Sequence, residues 1–156
     1  MPNPVSEVLN KGAEFLFGEV GMSHRFTFSV DKGSYDLGSW SKVTGLSVNW
    51  AMCTYTYGGT DNSFWVSPGP PKYPNIKLSR AACSDSATVQ KWLGEALNDR
   101  VPLSGSVMML DWLGTTIVEW KMDHFFPCGW SITEFDAGSA KPLVETLEIA
   151  HTGFIG

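Results

Sequence analysis

The chain has 156 residues, the length of one ordinary domain that can bury its own core. Its formal net charge of −5, without any run of Lys or Arg, argues against a protein that binds the phosphate backbone of nucleic acids. Charged residues make up only 17% of the chain, and the aromatic residues include seven Trp and nine Phe. This apolar surplus predicts that part of the surface faces a partner.

The cysteines and the first residues indicate a compartment. Cys53, Cys83 and Cys128 are an odd number without paired spacing, which fits a reducing environment better than a disulfide framework. The first residues hold two prolines and no continuous apolar stretch, so they do not resemble a secretory signal. No window is long and apolar enough to span a bilayer. We therefore expect cytoplasmic folding and no membrane insertion.

Residues 1–22 are predicted to be an N-terminal extension of a single domain that spans 23–156. Val5, Val8 and Leu9 fit one face of a short helix, and the apolar segment Phe15–Phe17 follows. Two interpretations stay open: a frayed tail, or a segment that reaches a neighbouring subunit.

The first strands are predicted from residues that alternate with period two. In Arg25–Val30 the Phe and Val side chains share one face, and Asp31–Ser34 has the composition of a turn. Alternation over Leu46–Cys53 predicts a long strand with Leu46, Val48, Trp50 and Met52 on one face. The large residues beyond Cys53 have the opposite parity, which predicts either a bulge near Thr54 or burial of the other face there.

The Gly- and Pro-rich stretch Gly58–Pro71 is predicted to be a long surface loop. Loops of this length in compact domains are functional or disordered. Phe64 and Trp65 in its middle argue against simple disorder.

One helix is predicted, because apolar residues recur at i, i+3, i+4, i+7 and i+8 in Val89, Trp92, Leu93, Ala96 and Leu97. Asp85 or Ser86 is the expected N-cap, and Pro102 follows the helix.

The remaining elements are predicted to be strands and one turn. The strands are Asn75–Arg80, Val107–Leu110, Val118–Asp123, Phe125–Ile132 and Val144–Ala150, and the turn is at Trp112–Gly114. In the last strand, Leu147 and Ile149 face inward. Antiparallel strands interrupted by a single helix predict a mainly β (α+β) fold, a barrel or sandwich with one capping helix.

Motifs for catalysis, cofactors and metals are missing from the sequence. It contains no nucleotide-binding loop, no nucleophile elbow and no paired metal-ligand motif, so we predict no enzyme, no cofactor and no metal site. His124 and Cys128 supply one pair, whereas a closed zinc site needs four ligands.

The acidic residues do not form a catalytic pair either. Glu145 and Glu148 are three positions apart in a strand and therefore lie on opposite faces. Asp111 and Asp123 are candidates to meet across a hairpin, but no general base or pocket accompanies them.

Four segments in order resemble one known family. They are Val43–Val48 (VTGLSV), Lys72–Leu78 (KYPNIKL), the Trp92-centred helix and Glu145–His151 (ETLEIAH). Together they resemble the inner-tube proteins of contractile injection systems, which include phage tail-tube proteins and are related to the type VI secretion tube protein. The resemblance runs from about Ser23 to Phe154, and the chain departs from it in the longer N-terminal segment and in the Pro-rich Val66–Pro71.

This resemblance implies a β-barrel of two packed antiparallel sheets with one flanking α-helix. It also implies six-membered rings that stack into a hollow tube inside a contractile sheath. The implied partners are further copies of the chain, sheath, baseplate or spike and tube-terminating proteins, with protein cargo in the lumen as a possibility. Such a chain assembles in the cytoplasm and ends in a phage-tail-like particle.

Within that role, the predicted loop becomes the candidate surface for stacking one ring on the next. Its candidate residues are Gly58, Gly59, Asp61, Phe64, Trp65 and Pro68. The alternative is that both aromatic side chains fold back as a lid over one end of the barrel. A different function also stays open, that of a monomeric or dimeric β-barrel that binds a small ligand or glycan through its Trp residues.

Overall fold

The computed structural model describes residues 25–56, 58–59, 63–133, 137–138 and 141–155. The predicted extension 1–22 lies outside the described residues. The elements are β1 (Arg25–Val30), a 3-10 turn (Lys32–Ser34), β2 (Tyr35–Trp40), β3 (Lys42–Thr44), β4 (Asn49–Thr56), β5 (Phe64–Lys72), β6 (Ile76–Ala81), α1 (Ser86–Asp99), β7 (Leu103–Leu110), β8 (Thr116–Ile132) and β9 (Val144–His151).

Seven strands form one antiparallel sheet in the order β2-β1-β7-β8-β9-β6-β3. The long strand β8 belongs to two halves of this sheet, because it pairs with β7 up to Phe125 and with β9 from Phe125 onward. The prediction of two separate strands, Val118–Asp123 and Phe125–Ile132, is therefore wrong. The chain stays extended where the partner strand changes, and a shift of register between Pro127 and Gly129 takes the place of a break.

The sheet closes into a barrel. β2 and β3 occupy opposite edges of the strand order, yet only Ser41 separates them in sequence, so the two edges must meet. Hydrogen bonds tie the β2 edge to β6, the neighbour of β3: Arg80 Nη1 donates to the Leu37 carbonyl at 2.6 Å, and the amide of Ser41, between β2 and β3, donates to the Ser79 carbonyl at 3.1 Å. Over the described residues, the predicted mainly β fold with antiparallel sheets and one helix is confirmed.

The core is built by the inward faces of the strands, as the alternation predicted for Phe28, Val30, Leu147 and Ile149. The fully buried set also includes Leu37, Trp40, Ile76, Leu78, Val89, Val107, Met122 and Phe125.

Helix α1 covers the barrel with Val89 and Trp92, and the Trp92 ring packs edge-on against Phe28 at a centroid distance of 6.4 Å. The predicted stripe is wrong at Leu97, which is 70% exposed. At 3.6 residues per turn, Leu97 lies about 140° around the helix from Trp92, so both cannot face the barrel.

β4 and β5 form a separate two-stranded antiparallel sheet, called here the arm. The predicted loop Gly58–Pro71 is therefore wrong from Phe64 onward, because Phe64–Lys72 is a strand. Prolines fit β5 because this strand pairs with β4 on one side and has no partner strand on the other. On that free side, no backbone amide is needed as a hydrogen-bond donor.

The predicted strand Leu46–Cys53 begins only at Asn49. The extended backbone is interrupted at Gly45, whose φ of +90° favours glycine. The irregularity in the arm lies between Trp50 and Met52 and not near Thr54. Burial of the other face beyond Cys53 is also wrong, because every residue of β4 is exposed.

Candidate assembly surface

The arm exposes an unusual amount of apolar surface. Six of its large apolar side chains are 46–65% exposed, namely Trp50, Met52, Tyr55, Phe64, Trp65 and Val66. Its two strands, NWAMCTYT and FWVSPGPPK, contain a single charged residue, Lys72, at the base. Isolated two-stranded hairpins are marginal in water, and contiguous apolar surface of this kind marks an interaction site. The arm is thus the part of the described surface best suited to contact another protein.

The structure brings most of the predicted stacking residues to the arm. Phe64, Trp65 and Pro68 lie on β5 with exposed side chains, and Gly58 and Gly59 lie near the tip. Asp61 is outside the described residues. The structure speaks against the lid alternative, since both aromatic side chains are about two-thirds exposed and neither packs against the buried core cluster.

A buried ion pair lies where the barrel closes, and the sequence analysis did not identify it. The Glu145 side chain is 0% exposed. Its Oε2 accepts hydrogen bonds from Arg80 Nε at 2.8 Å and from Ser86 Oγ at 2.7 Å, and its Oε1 accepts one from Trp130 Nε1 at 2.9 Å. A usable signal was present, because Glu145 shares its strand face with Leu147, which was predicted to face inward.

Arg80 belongs to β6, and its guanidinium also contacts β2 and β9 around this carboxylate. It stacks on the Trp40 ring at 4.0 Å and donates to the Leu37 carbonyl of β2, while Glu145 holds it from β9. Burial alone would raise the pKa of Glu145, but hydrogen bonds from Arg80, Trp130 and Ser86 outweigh it and lower that pKa. The pair therefore stays ionised and serves to close the barrel.

The sequence carries a family signature over most of its length. The model of the T4-like virus tail tube protein gp19 family matches residues 23–155. The chain belongs to this tail tube family. It is therefore a structural subunit of a tail tube, which confirms the resemblance described above.

Solved structures show the same fold for this tail tube protein. A chain of the anti-feeding prophage baseplate is 23% identical with a TM-score of 0.64, and the alignment covers 85% of this chain and 92% of that chain. A chain of the extended PVC sheath–tube complex, an extracellular contractile injection system, is 19% identical with a TM-score of 0.67 over 88% and 90%. A chain of the PVC sheath/tube terminator is 22% identical with a TM-score of 0.67 over 84% and 91%. No curated protein matches the sequence.

The acidic residues of the tail tube protein have structural roles. As predicted, Glu145 and Glu148 lie on opposite faces, and Glu148 lies on the outer face, 3.8 Å from Lys77 Nζ. Asp111 accepts hydrogen bonds from the amides of its own turn. Asp123 lies toward the opposite end of β7, so the structure does not bring these two carboxylates together.

Ligand-binding features are weak over the described ranges. No group of three His, Cys, Asp or Glu side chains is arranged to hold a metal there. The described cysteines, Cys53, Cys83 and Cys128, are exposed free thiols. An open hollow of about 420 Å³ beside β1 and β2 is lined by Thr27, Ser29, Val30, Asp31, Ser34, Tyr35, Asp36 and Met108, and by no Trp. Helices of the length and apolarity that a bilayer crossing needs do not occur in this described part of the chain.

Proposed function

We propose that this tail tube protein assembles with copies of itself into closed rings of six subunits. The rings stack into a hollow conduit inside the contractile sheath of a phage-tail-like injection particle. The observation that carries the proposal is the arm, a nearly uncharged hairpin whose apolar side chains are uncovered in the single chain. Closed assemblies remove such exposed apolar strands from solvent.

The partners follow from the same proposal. The chains of similar fold come from particles whose names include a baseplate, a sheath–tube complex and a tube terminator. This supports sheath, baseplate or spike and terminating proteins as partners, with protein cargo in the lumen. We place assembly in the cytoplasm, assign no enzymatic activity and retain 1–22 as an extension of the domain 23–156. We assign ring stacking to the segment Gly58–Pro71, with the candidate residues Gly58, Gly59, Asp61, Phe64, Trp65 and Pro68.

Electron microscopy and light scattering of the purified chain test the proposal. We expect rings or rods at micromolar concentration, or incorporation into tubes when baseplate proteins are added. A strictly monomeric mass across salt and protein concentrations, together with no recruitment into tubes, would contradict it. The ligand- or glycan-binding alternative needs exposed Trp side chains around a pocket. Trp40 and Trp92 are core residues, the hollow beside β1 and β2 is lined by no Trp, and the exposed Trp50 and Trp65 lie on the arm.

A further inference from the structure

The turn between β7 and β8 presents two large apolar side chains to solvent. Trp112 and Leu113 are 68% and 60% exposed, and Trp112 is the most exposed of the seven Trp residues. Tight turns favour Gly, Asn, Asp, Ser or Pro at such positions. The presence of these two side chains therefore needs an explanation other than the turn itself.

The backbone of this turn is held without help from either side chain. The Asp111 amide donates to the Thr115 carbonyl at 2.9 Å, and the Asp111 carboxylate accepts hydrogen bonds from the amides of Leu113 and Thr115 at 2.9 and 2.8 Å. Gly114 supplies a positive φ of +86°. The turn is thus a well-defined support that presents Trp112 and Leu113 to another segment.

The end of the barrel next to this turn is also apolar and only partly covered. Phe26, Met109 and Val118 pair in register across β1, β7 and β8, so they share one face of the sheet. It is the face of the core residue Phe28, two positions along β1. Phe28 is fully buried, whereas Phe26 and Met109 are partly buried and Val118 is 38% exposed. Together with the two side chains of the turn, this row forms an apolar surface, called here the turn end.

The chain enters the barrel beside the turn end. Arg25 pairs with Leu110 at the start of β1, and a Cβ placed on Gly114 would lie 3.7 Å from Arg25 Nη2. Only Ser23 and His24 separate Arg25 from the predicted extension. A segment tethered this close has a high effective concentration at the surface next to it.

The composition of the extension complements the turn end. Its apolar segment Phe15–Phe17 precedes Arg25 by a stretch of chain that spans roughly 26 Å when extended, so it can reach the turn. The extension also carries three Glu residues and one Lys. Arg25 forms no ion pair with another residue of the described ranges, so an acidic segment is favoured beside it.

We propose that the extension 1–22 folds back onto the turn end of its own barrel, with Phe15–Phe17 packed against Trp112 and Leu113. The occupant is a segment of the same chain and not another copy. This differs from both interpretations that the sequence left open, a frayed tail and a contact with a neighbouring subunit. The inference concerns the single subunit and does not depend on ring formation. It leaves the arm available for assembly and covers the turn end within the subunit.

Oxidative footprinting of the natural chain tests this cover without any substitution. Hydroxyl radicals oxidise accessible Trp side chains, and mass spectrometry measures the rate at each site. Trp65 on the arm is the internal control, because its exposed fraction of 64% is close to the 68% of Trp112. At a dilution where the chain is monomeric, we expect Trp112 to be oxidised several-fold more slowly than Trp65. Equal rates would overturn the inference.

Disulfide cross-linking identifies the covering segment. In a chain whose three cysteines are replaced by Ser, Leu16→Cys is combined with Leu113→Cys, and the matched control combines Leu16→Cys with Leu97→Cys. Leu97 is at least as exposed as Leu113 but lies near the end of α1, at the opposite end of β7 from the turn. After mild oxidation, we expect a cross-link at monomer mass in the first pair and several-fold less in the control.

Two further substitutions distinguish apolar packing from simple proximity. Adding Phe15→Ser and Phe17→Ser to the first pair should lower the cross-link yield several-fold, because the segment then has little apolar area to bury. Circular dichroism should show a folded barrel in every variant, since no substituted side chain belongs to the described core.

Three cross-linking results would overturn the inference. A product at dimer mass would assign the turn end to another copy. Equal yields in the two pairs, or a yield that the Ser substitutions leave unchanged, would show that the extension does not pack there. The footprinting of the natural chain decides the question even if a variant fails to fold.

Discussion

The Glu145→Gln substitution tests the role of the buried ion pair. Glutamine keeps the size of the side chain but removes its charge, and its amide nitrogen is a donor where Arg80 Nε or Trp130 Nε1 also donates. The Arg80 guanidinium would remain buried against Trp40 without a counter-charge. Removing one partner of such a pair lowers the free energy of unfolding by more than the intact pair contributes to it, because the other charge is left buried without a counter-charge.

Removing one partner of a buried ion pair costs about 3–5 kcal/mol. For a domain of this length, that cost corresponds to a melting temperature lower by about 6–20 °C. Urea denaturation followed by circular dichroism measures the free energy of unfolding. The matched control is Glu148→Gln on the same strand, whose carboxylate is partly exposed beside Lys77, and it should cost less than about 1 kcal/mol. Equal costs for the two substitutions would refute the assigned role of Glu145.

The pH dependence gives a second test. Because the folded protein lowers the pKa of Glu145 from its usual 4.5, the folded state favours the ionised carboxylate. This contribution is complete above that usual pKa and is lost as the pH falls through the lowered value. The natural chain and Glu145→Gln should therefore differ less in their free energy of unfolding below about pH 4.5 than at neutral pH. A gap that widens in acid would show that burial raises this pKa instead.

Further substitutions test the core and the base of the arm. Trp92→Ala should cost about 3–5 kcal/mol, because its ring is 2% exposed and packs on Phe28, and an unchanged urea midpoint would exclude it from the core. Leu97→Ala on the same helix should change the free energy of unfolding by no more than about 0.5 kcal/mol. Gly45→Ala should cost more than about 1 kcal/mol, because its Cβ would clash with the Asn75 carbonyl oxygen and the backbone φ of +90° strains a residue with a side chain. A Gly45→Ala variant that melts with the natural chain would contradict this account.

Where one face of an element meets the core and the other meets water, the sequence predicted the structure well. Phe28 and Val30 in β1, and Leu147 and Ile149 in β9, are buried at the alternating positions expected. Trp92 occupies the centre of the helical contact for the same reason. In these elements, burial of one face fixes the register, so periodicity carries the information.

Alternation predicted most of β4, but β5 could not be predicted in this way, because both faces of the arm are apolar and both are exposed. Its prolines and glycines indicated a loop, although an edge strand accepts proline on its free side. The separate location of Phe64 and Trp65 on opposite faces depends on cross-strand register, which local composition does not encode. Glu145 was missed for a different reason: a carboxylate on an inward face is stable only with Arg80 from another strand, and that partner is distant in sequence.

Strand pairing between the two ends of the chain also determines when the subunit becomes complete during its synthesis. Arg25 in β1 pairs with Leu110 in β7, and Ile76 in β6 pairs with Ile149 in β9, so the barrel stays open until the last strand has been made. The arm is a local hairpin and depends on no such distant partner. Non-local pairing of this kind makes folding slow, whereas hairpins form within microseconds. The arm, with its exposed apolar side chains, is thus able to form before the barrel is closed. A product truncated before β9 would present the arm on a subunit whose barrel cannot close.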